Sequence, residues 1–127
     1  MGYKTTKKHF KLFKEIAEFW VERLGLKDYD IDYEHVKFSD NSLADCSWNI
    51  VERWAKIRLS TKWGETKPTK HEICATAIHE VLELLMAEIF TIAQQRYIAY
   101  DQLEISRHSV IQRLVSYFMH DEKGLAE

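Results

Sequence analysis

Chain breakers are scarce in this sequence: 127 residues contain one proline and four glycines. That poverty excludes a collagen-like or linker-rich chain and favours long helices. Cysteine is scarce as well. Cys46 and Cys74 stand alone, at no metal-type spacing, and read as the reduced thiols of a cytoplasmic protein. No secretory leader is expected from the first residues, and no apolar run reaches the roughly 18 residues of a membrane span. The expected setting is therefore the cytoplasm, with no membrane partner. Excess charge of one sign is also missing. Eighteen basic and 20 acidic side chains leave a net charge of −2, so no global basic field draws the chain to nucleic acid. Absent too are G-x-x-x-x-G-K, G-x-S-x-G and paired C-x-x-C, which removes support for nucleotide hydrolysis, serine-hydrolase chemistry and zinc-ribbon binding.

What is present is enough for one core. Hydrophobic residues make up 46% of the chain and aromatics 13%, so residues 1–127 read as a single domain with no need of disulfides. Charge alternates in blocks: positive over 1–27, negative over 28–52, positive over 53–70 and negative over 71–127. Residues 6–24 carry apolar side chains at three- and four-residue steps, from Phe10 to Leu24, between a Thr6 N-cap and a Gly25 stop, which predicts a helix. Residues 29–38 alternate as a strand does, and residues 45–60 suggest two strands or a hairpin around Val51-Glu52-Arg53. Thr61 to Thr69 reads as a loop. Residues 69–95 are the longest helical stretch, opened by Thr69 with Glu72 three residues on. Residues 102–120 are the last helix, with Leu103, Val110, Ile111, Leu114, Val115 and Phe118 on one side. The fold class expected is α+β, with a small sheet of about three strands packed against an N-terminal helix, a site-bearing helix and a C-terminal helix. Trp20, Ile57, Leu59, Ile78, Leu82, Leu85, Ile111 and Leu114 are the expected core.

The stretch that carries chemistry is His79-Glu80-Val81-Leu82-Glu83. Helical residues advance about 100° each, so His79 and Glu83 share a face one turn apart. Two ligands reach one metal ion from a helix in this way in H-E-x-x-H zinc hydrolases, where the intervening Glu is the general base. Here a carboxylate, itself an accepted zinc ligand, replaces the second imidazole. The apolar arc expected on this helix is Cys74, Ile78, Val81, Leu82, Leu85, Ile89 and Ile92. It leaves His79 and Glu83 at its edge and Glu80 further round, with Glu72 and Glu88 roughly opposite, in solvent. A third donor has to come from elsewhere. The last helix offers His108, with Glu104 one turn before it. A hairpin of two long helices centred near residue 99 would bring His120 to His79 instead, whereas an end to the first helix near residue 90 favours His108.

Ala77-Ile78-His79-Glu80-Val81-Leu82-Glu83-Leu84-Leu85, followed by Glu104-Ile105-Ser106-Arg107-His108-Ser109-Val110-Ile111-Gln112-Arg113-Leu114, resembles small phage-encoded zincin-like proteins of metallopeptidase type. Trp54-Ala55-Lys56-Ile57-Arg58-Leu59-Ser60 resembles the strand bordering the site helix in compact zincins of the SprT-like and minigluzincin groups. The resemblance spans about residues 45–115. It implies a zincin-like fold and a zinc cofactor held by His79, Glu83 and His108. Glu80 would be the catalytic base, and the substrate a protein or peptide laid along the strand edge near Lys56–Ser60. H-E-x-x-E departs from H-E-x-x-H, so the alternative is a non-catalytic phage protein that keeps the scaffold as a binding module.

Overall fold

The computed structural model describes residues 2–95, 97 and 99–126, with side chains as far as residue 120. The two ends of the expected domain, Met1 and Glu127, lie outside the described residues. The chain is α+β. In order it forms β1 (Tyr3–Lys4), α1 (Lys7–Arg23), β2 (Asp30–Val36), β3 (Ala44–Asn49), β4 (Trp54–Ser60), β5 (Lys62–Gly64), α2 (Lys70–Leu85), α3 (Ala87–Ala93) and α4 (Tyr100–Ala126).

Local chemistry explains most boundaries. Thr6 caps α1 by accepting from the His9 N–H, while His9 Nδ1 accepts the Thr6 N–H in return. Gly25, at φ +68°, takes the left-handed conformation just beyond the last turn. Thr69 caps α2 through the Glu72 N–H. The β3–β4 turn is tied by Asn49 Oδ1, which accepts from the N–H groups of Val51 and Glu52.

The main sheet has the order β2-β4-β3. β3 and β4 form the expected hairpin, and β2 runs parallel to β4. β4 is therefore central, paired on both sides, and its Lys56–Ser60 edge cannot accept a peptide as expected. The outer edges that remain among the described residues are those of β2 and β3, and β3 is the one that passes α2. Register decides which residues reach the core. Ala55, Ile57 and Leu59 of β4 are buried on one face, flanked by Ile31 and Tyr33 of β2 and by Cys46 and Trp48 of β3. The other face carries the Arg58–Asp45 and Lys56–Glu34 ion pairs. A second sheet pairs β1 with β5, inside what the sequence pattern presents as a loop. Strands of two and three residues carry no alternation long enough to read.

α1 and α2 cover the buried face. Ala17 and Ala77 are fully buried and let the two helices approach closely. α2 is turned relative to the expected arc: its buried residues are Ile73, Ala77, Glu80, Val81, Leu84 and Leu85. Leu82 is 45% exposed, and Ile78 only half-buried. α4 differs in the same way. Ser106 is buried and Val110, Leu114 and Tyr117 pack on the core, while Ile111, Val115 and Phe118 stay exposed. Of the expected core, Ile57, Leu59 and Leu85 are buried, Trp20, Ile78 and Leu114 are half-buried, and Leu82 and Ile111 are not in it. The long helix ends earlier than residue 90. Met86, at φ −91° and ψ 0°, separates α2 from α3 with neither glycine nor proline. No helix among the described residues is long and apolar enough to cross a membrane.

Candidate metal centre

α2 carries His79, Glu80 and Glu83 along the side that passes β3. One donor atom from each lies within 4.8 Å of the other two, and this is the group of three metal-type donors found among the described residues. His79 Nε2 is 3.4 Å from Glu83 Oε2, with both side chains open to solvent. The i, i+4 spacing accounts for that pairing directly.

Glu80 departs from expectation. It is 4% exposed, on the buried face of α2, and its Oε1 has no hydrogen-bond partner. Burial pushes its carboxyl up to about 9, and Glu83, as a hydrogen-bond partner and as a like charge, adds to the shift, with Asp45 contributing further. A carboxyl so placed is protonated at neutral pH in the metal-free chain. Cys46, on the adjoining strand, is pushed up to about 12 by burial and by the negative charge of Glu80, Glu83 and Asp45. The site thus crowds carboxyl groups together, with one oxygen left without a donor. A cation would relieve both features.

The remaining expected donors are elsewhere. Two helix positions turn a side chain about 200°, so a buried Ser106 sends His108 to the far side of α4. There His108 is exposed, 4.0 Å from Glu104. Glu104 is held by Arg107 at 2.9 Å. His120 is exposed too. The structure therefore brings together His79, Glu80 and Glu83, and leaves His108, Glu104 and His120 outside the group.

Pattern reading misplaced Glu88. It is 8% exposed, paired with Arg53 Nη1 at 2.5 Å, and faces Ser106 Oγ at 3.5 Å. Its signal is a basic residue at the tip of a hairpin, which spacing within one helix cannot reveal. Also missed is a cleft on either side of His79. One hollow lies between His79, Glu80, Ala75 and Thr76 of α2 and Ser42, Leu43 and Ala44. The other lies between His79, Leu82 and Glu83 of α2 and Trp48, Met86 and Phe90. Comparison with known proteins finds no matching family model, curated protein or solved structure.

Proposed function

We propose that this chain is a metal-dependent hydrolase acting on peptide bonds, with zinc as its cation. The observation that carries this reading is the gathering of an imidazole and two carboxyl groups within 4.8 Å, one of them a buried carboxyl with an unpartnered oxygen. Imidazole nitrogen and carboxylate oxygen are donors that zinc accepts, although the same set suits iron or manganese. His79 and Glu83 would hold the ion. When bound, zinc supplies electrophilic polarisation and lowers the pKa of a water molecule to about 7.

Glu80 then has a role that its burial suits. A neighbouring cation favours its ionised form. The carboxylate can take a proton and return it to the departing amine. His79 sits where the two hollows of the cleft meet, so a substrate crossing the cleft passes the donor group. The outer edge of β3 offers unpaired backbone groups to an extended peptide, a common mode of peptide binding. A zincin-like, phage-encoded origin remains a reading of the motif, and it favours the same chemistry.

The test is metal content and cleavage measured together. Purified wild type should hold about one zinc per chain. His79→Ala and Glu83→Gln should lose it, and His108→Ala should keep it. Glu80→Gln should keep the ion but lose about 10²–10⁴-fold of peptide-library cleavage, the usual worth of general-base catalysis. Absence of binding by zinc, iron and manganese would overturn the reading. A protein that binds zinc but cleaves nothing would be the binding module instead.

A further inference from the structure

We propose that the cavity bounded by Trp48, Leu82, Met86 and Phe90, open beside His79 and Glu83, takes one bulky apolar side chain of an extended peptide. The chain would thereby select phenylalanine- or leucine-sized residues next to the bond presented to the donor group. The proposal rests on the peptide reading above and names the substrate class for it.

The cavity holds about 320 Å³ and is apolar except at the end where His79 and Glu83 stand. Leu82, Met86 and Phe90 follow one another at four-residue steps, and all three are large apolar residues left 45–53% exposed. An apolar cluster of this kind, continuous with a polar site, is the usual mark of a contact surface. One wall is fixed before any ligand arrives. The Trp48 indole N–H donates to Thr91 Oγ1 at 2.8 Å, and the Trp48 ring meets Phe90 edge-on, with centroids 6.2 Å apart. A wall held from two directions loses little freedom on binding.

The occupant follows from the position of Trp48. It lies on β3, whose outer edge has no strand against it among the described residues. A peptide paired with that edge sends alternate side chains toward the helices, as β3 itself does with Cys46 and Trp48. The Glu83 carboxyl group, which lines the cavity, disfavours an acidic side chain in the same place. On the far side of His79 the cleft is lined by Ser42, Leu43, Ala44, Ala75 and Thr76, where Leu43 is the one large apolar residue. The larger apolar surface lies on the Trp48 side, with Leu82, Met86 and Phe90, so the demand for a bulky apolar residue is greater there.

The experiment uses the metal-free 127-residue chain and four blocked pentapeptides, acetyl-Ala-Ala-X-Ala-Ala-amide, with X as Phe, Leu, Ala or Glu. Binding is followed through the Trp48 indole N–H signal in NMR spectra. Phe and Leu peptides should bind about tenfold or more tightly than the Ala peptide, the discrimination an apolar pocket can supply, and the Glu peptide should bind weakest. Phe90→Ala and Met86→Gln, both at exposed positions, should abolish most of that preference. Phe19→Ala, an exposed aromatic on α1, should not. Equal binding of all four peptides, binding that spares the Trp48 signal, or no binding would overturn the proposal. So would a dimer whose dissociation releases the cavity, because a second copy would then be its occupant. Since no metal is used, the two readings fail separately. A chain that prefers Phe but binds no cation loses the hydrolase alone. One that binds zinc but ignores X loses the pocket alone.

Discussion

Glu80 concentrates the conflict between stability and site chemistry in one side chain. Folding removes it from water without giving Oε1 a partner, and its folded pKa rises from the ordinary 4.5 to about 9. Between those values the folded chain holds a proton that the unfolded chain has released, so stability falls as pH rises through that window. The metal-free protein is expected to melt at a lower temperature near pH 8 than near pH 6. Glu80→Gln should flatten the dependence and raise the melting temperature at the alkaline end. An unchanged slope in thermal melts of the variant would assign the effect to another group. His35 acts in the opposite direction. Burial, and then His9, lowers its pKa, while its Nε2 lies 2.7 Å from Thr5 Oγ1. It therefore resists protonation in the fold, and stability falls as pH drops below the ordinary imidazole value toward the lowered one. His35→Gln should lessen that acid-side loss in the same melts.

Among the elements, α2 decides what a reader of the pattern gets right. Two apolar stripes compete on it: Cys74, Ile78, Leu82 and Leu85, and Ile73, Ala77, Val81, Leu84 and Leu85. Both have helical spacing, and the second wins because α1 and the sheet close on it from two sides. Leu84→Ala should cost about 2–5 kcal/mol in urea denaturation, whereas Leu82→Ala should cost less than about 1 kcal/mol. The reverse order would mean that α2 is turned the other way. α4 is held to the loop after α1 by Arg113, whose guanidinium makes two hydrogen bonds of 2.9 and 3.0 Å to Asp28 and another to the Gly25 carbonyl. The Arg113 hydrogen bonds and charge hold the Asp28 carboxyl below its usual range. That stabilisation is present above the ordinary carboxyl pKa and is lost as pH falls through the lowered one. Solvent around Asp28 weakens the pair, so Arg113→Ala should cost about 1 kcal/mol near neutrality. In acid, denaturation curves of the two proteins should converge.

Across the molecule, one polar chain links parts that the hydrophobic core joins only loosely. Arg53, at φ 58° in the β3–β4 turn, reaches Glu88 of α3, and Glu88 faces Ser106 of α4. The turn, α3 and α4 are thereby fixed relative to the sheet, and with them Thr91, which holds Trp48 at the cleft. Glu88→Ala would leave Arg53 only the Tyr29 hydroxyl at 3.2 Å and Asp28 at 3.8 Å, and should cost about 1–3 kcal/mol. Hydrogen exchange should show the loss concentrated in α3 and α4, with β4 and α1 still protected. A uniform loss across the chain would mean that the network is not what holds α4 in place.

The sequence by itself determined the order of the longer elements, without β1, β5 or a separate α3, the hairpin around 51–53, the caps at Thr6 and Thr69, and the pairing of His79 with Glu83. Each depends on residues at most a few positions apart, and local geometry settles such relations before any tertiary contact forms. It did not determine which stripe of α2 or α4 turns inward, that β4 is central, that α2 stops at Met86, or that Glu80 is buried. Nor did it decide that His108 stays away from His79. Those outcomes depend on which distant surfaces meet. The 3.6-residue period marks a helix as amphipathic without saying which of two overlapping arcs the sheet and α1 will cover, and a shift of one residue, about 100°, exchanges a buried side chain for an exposed one.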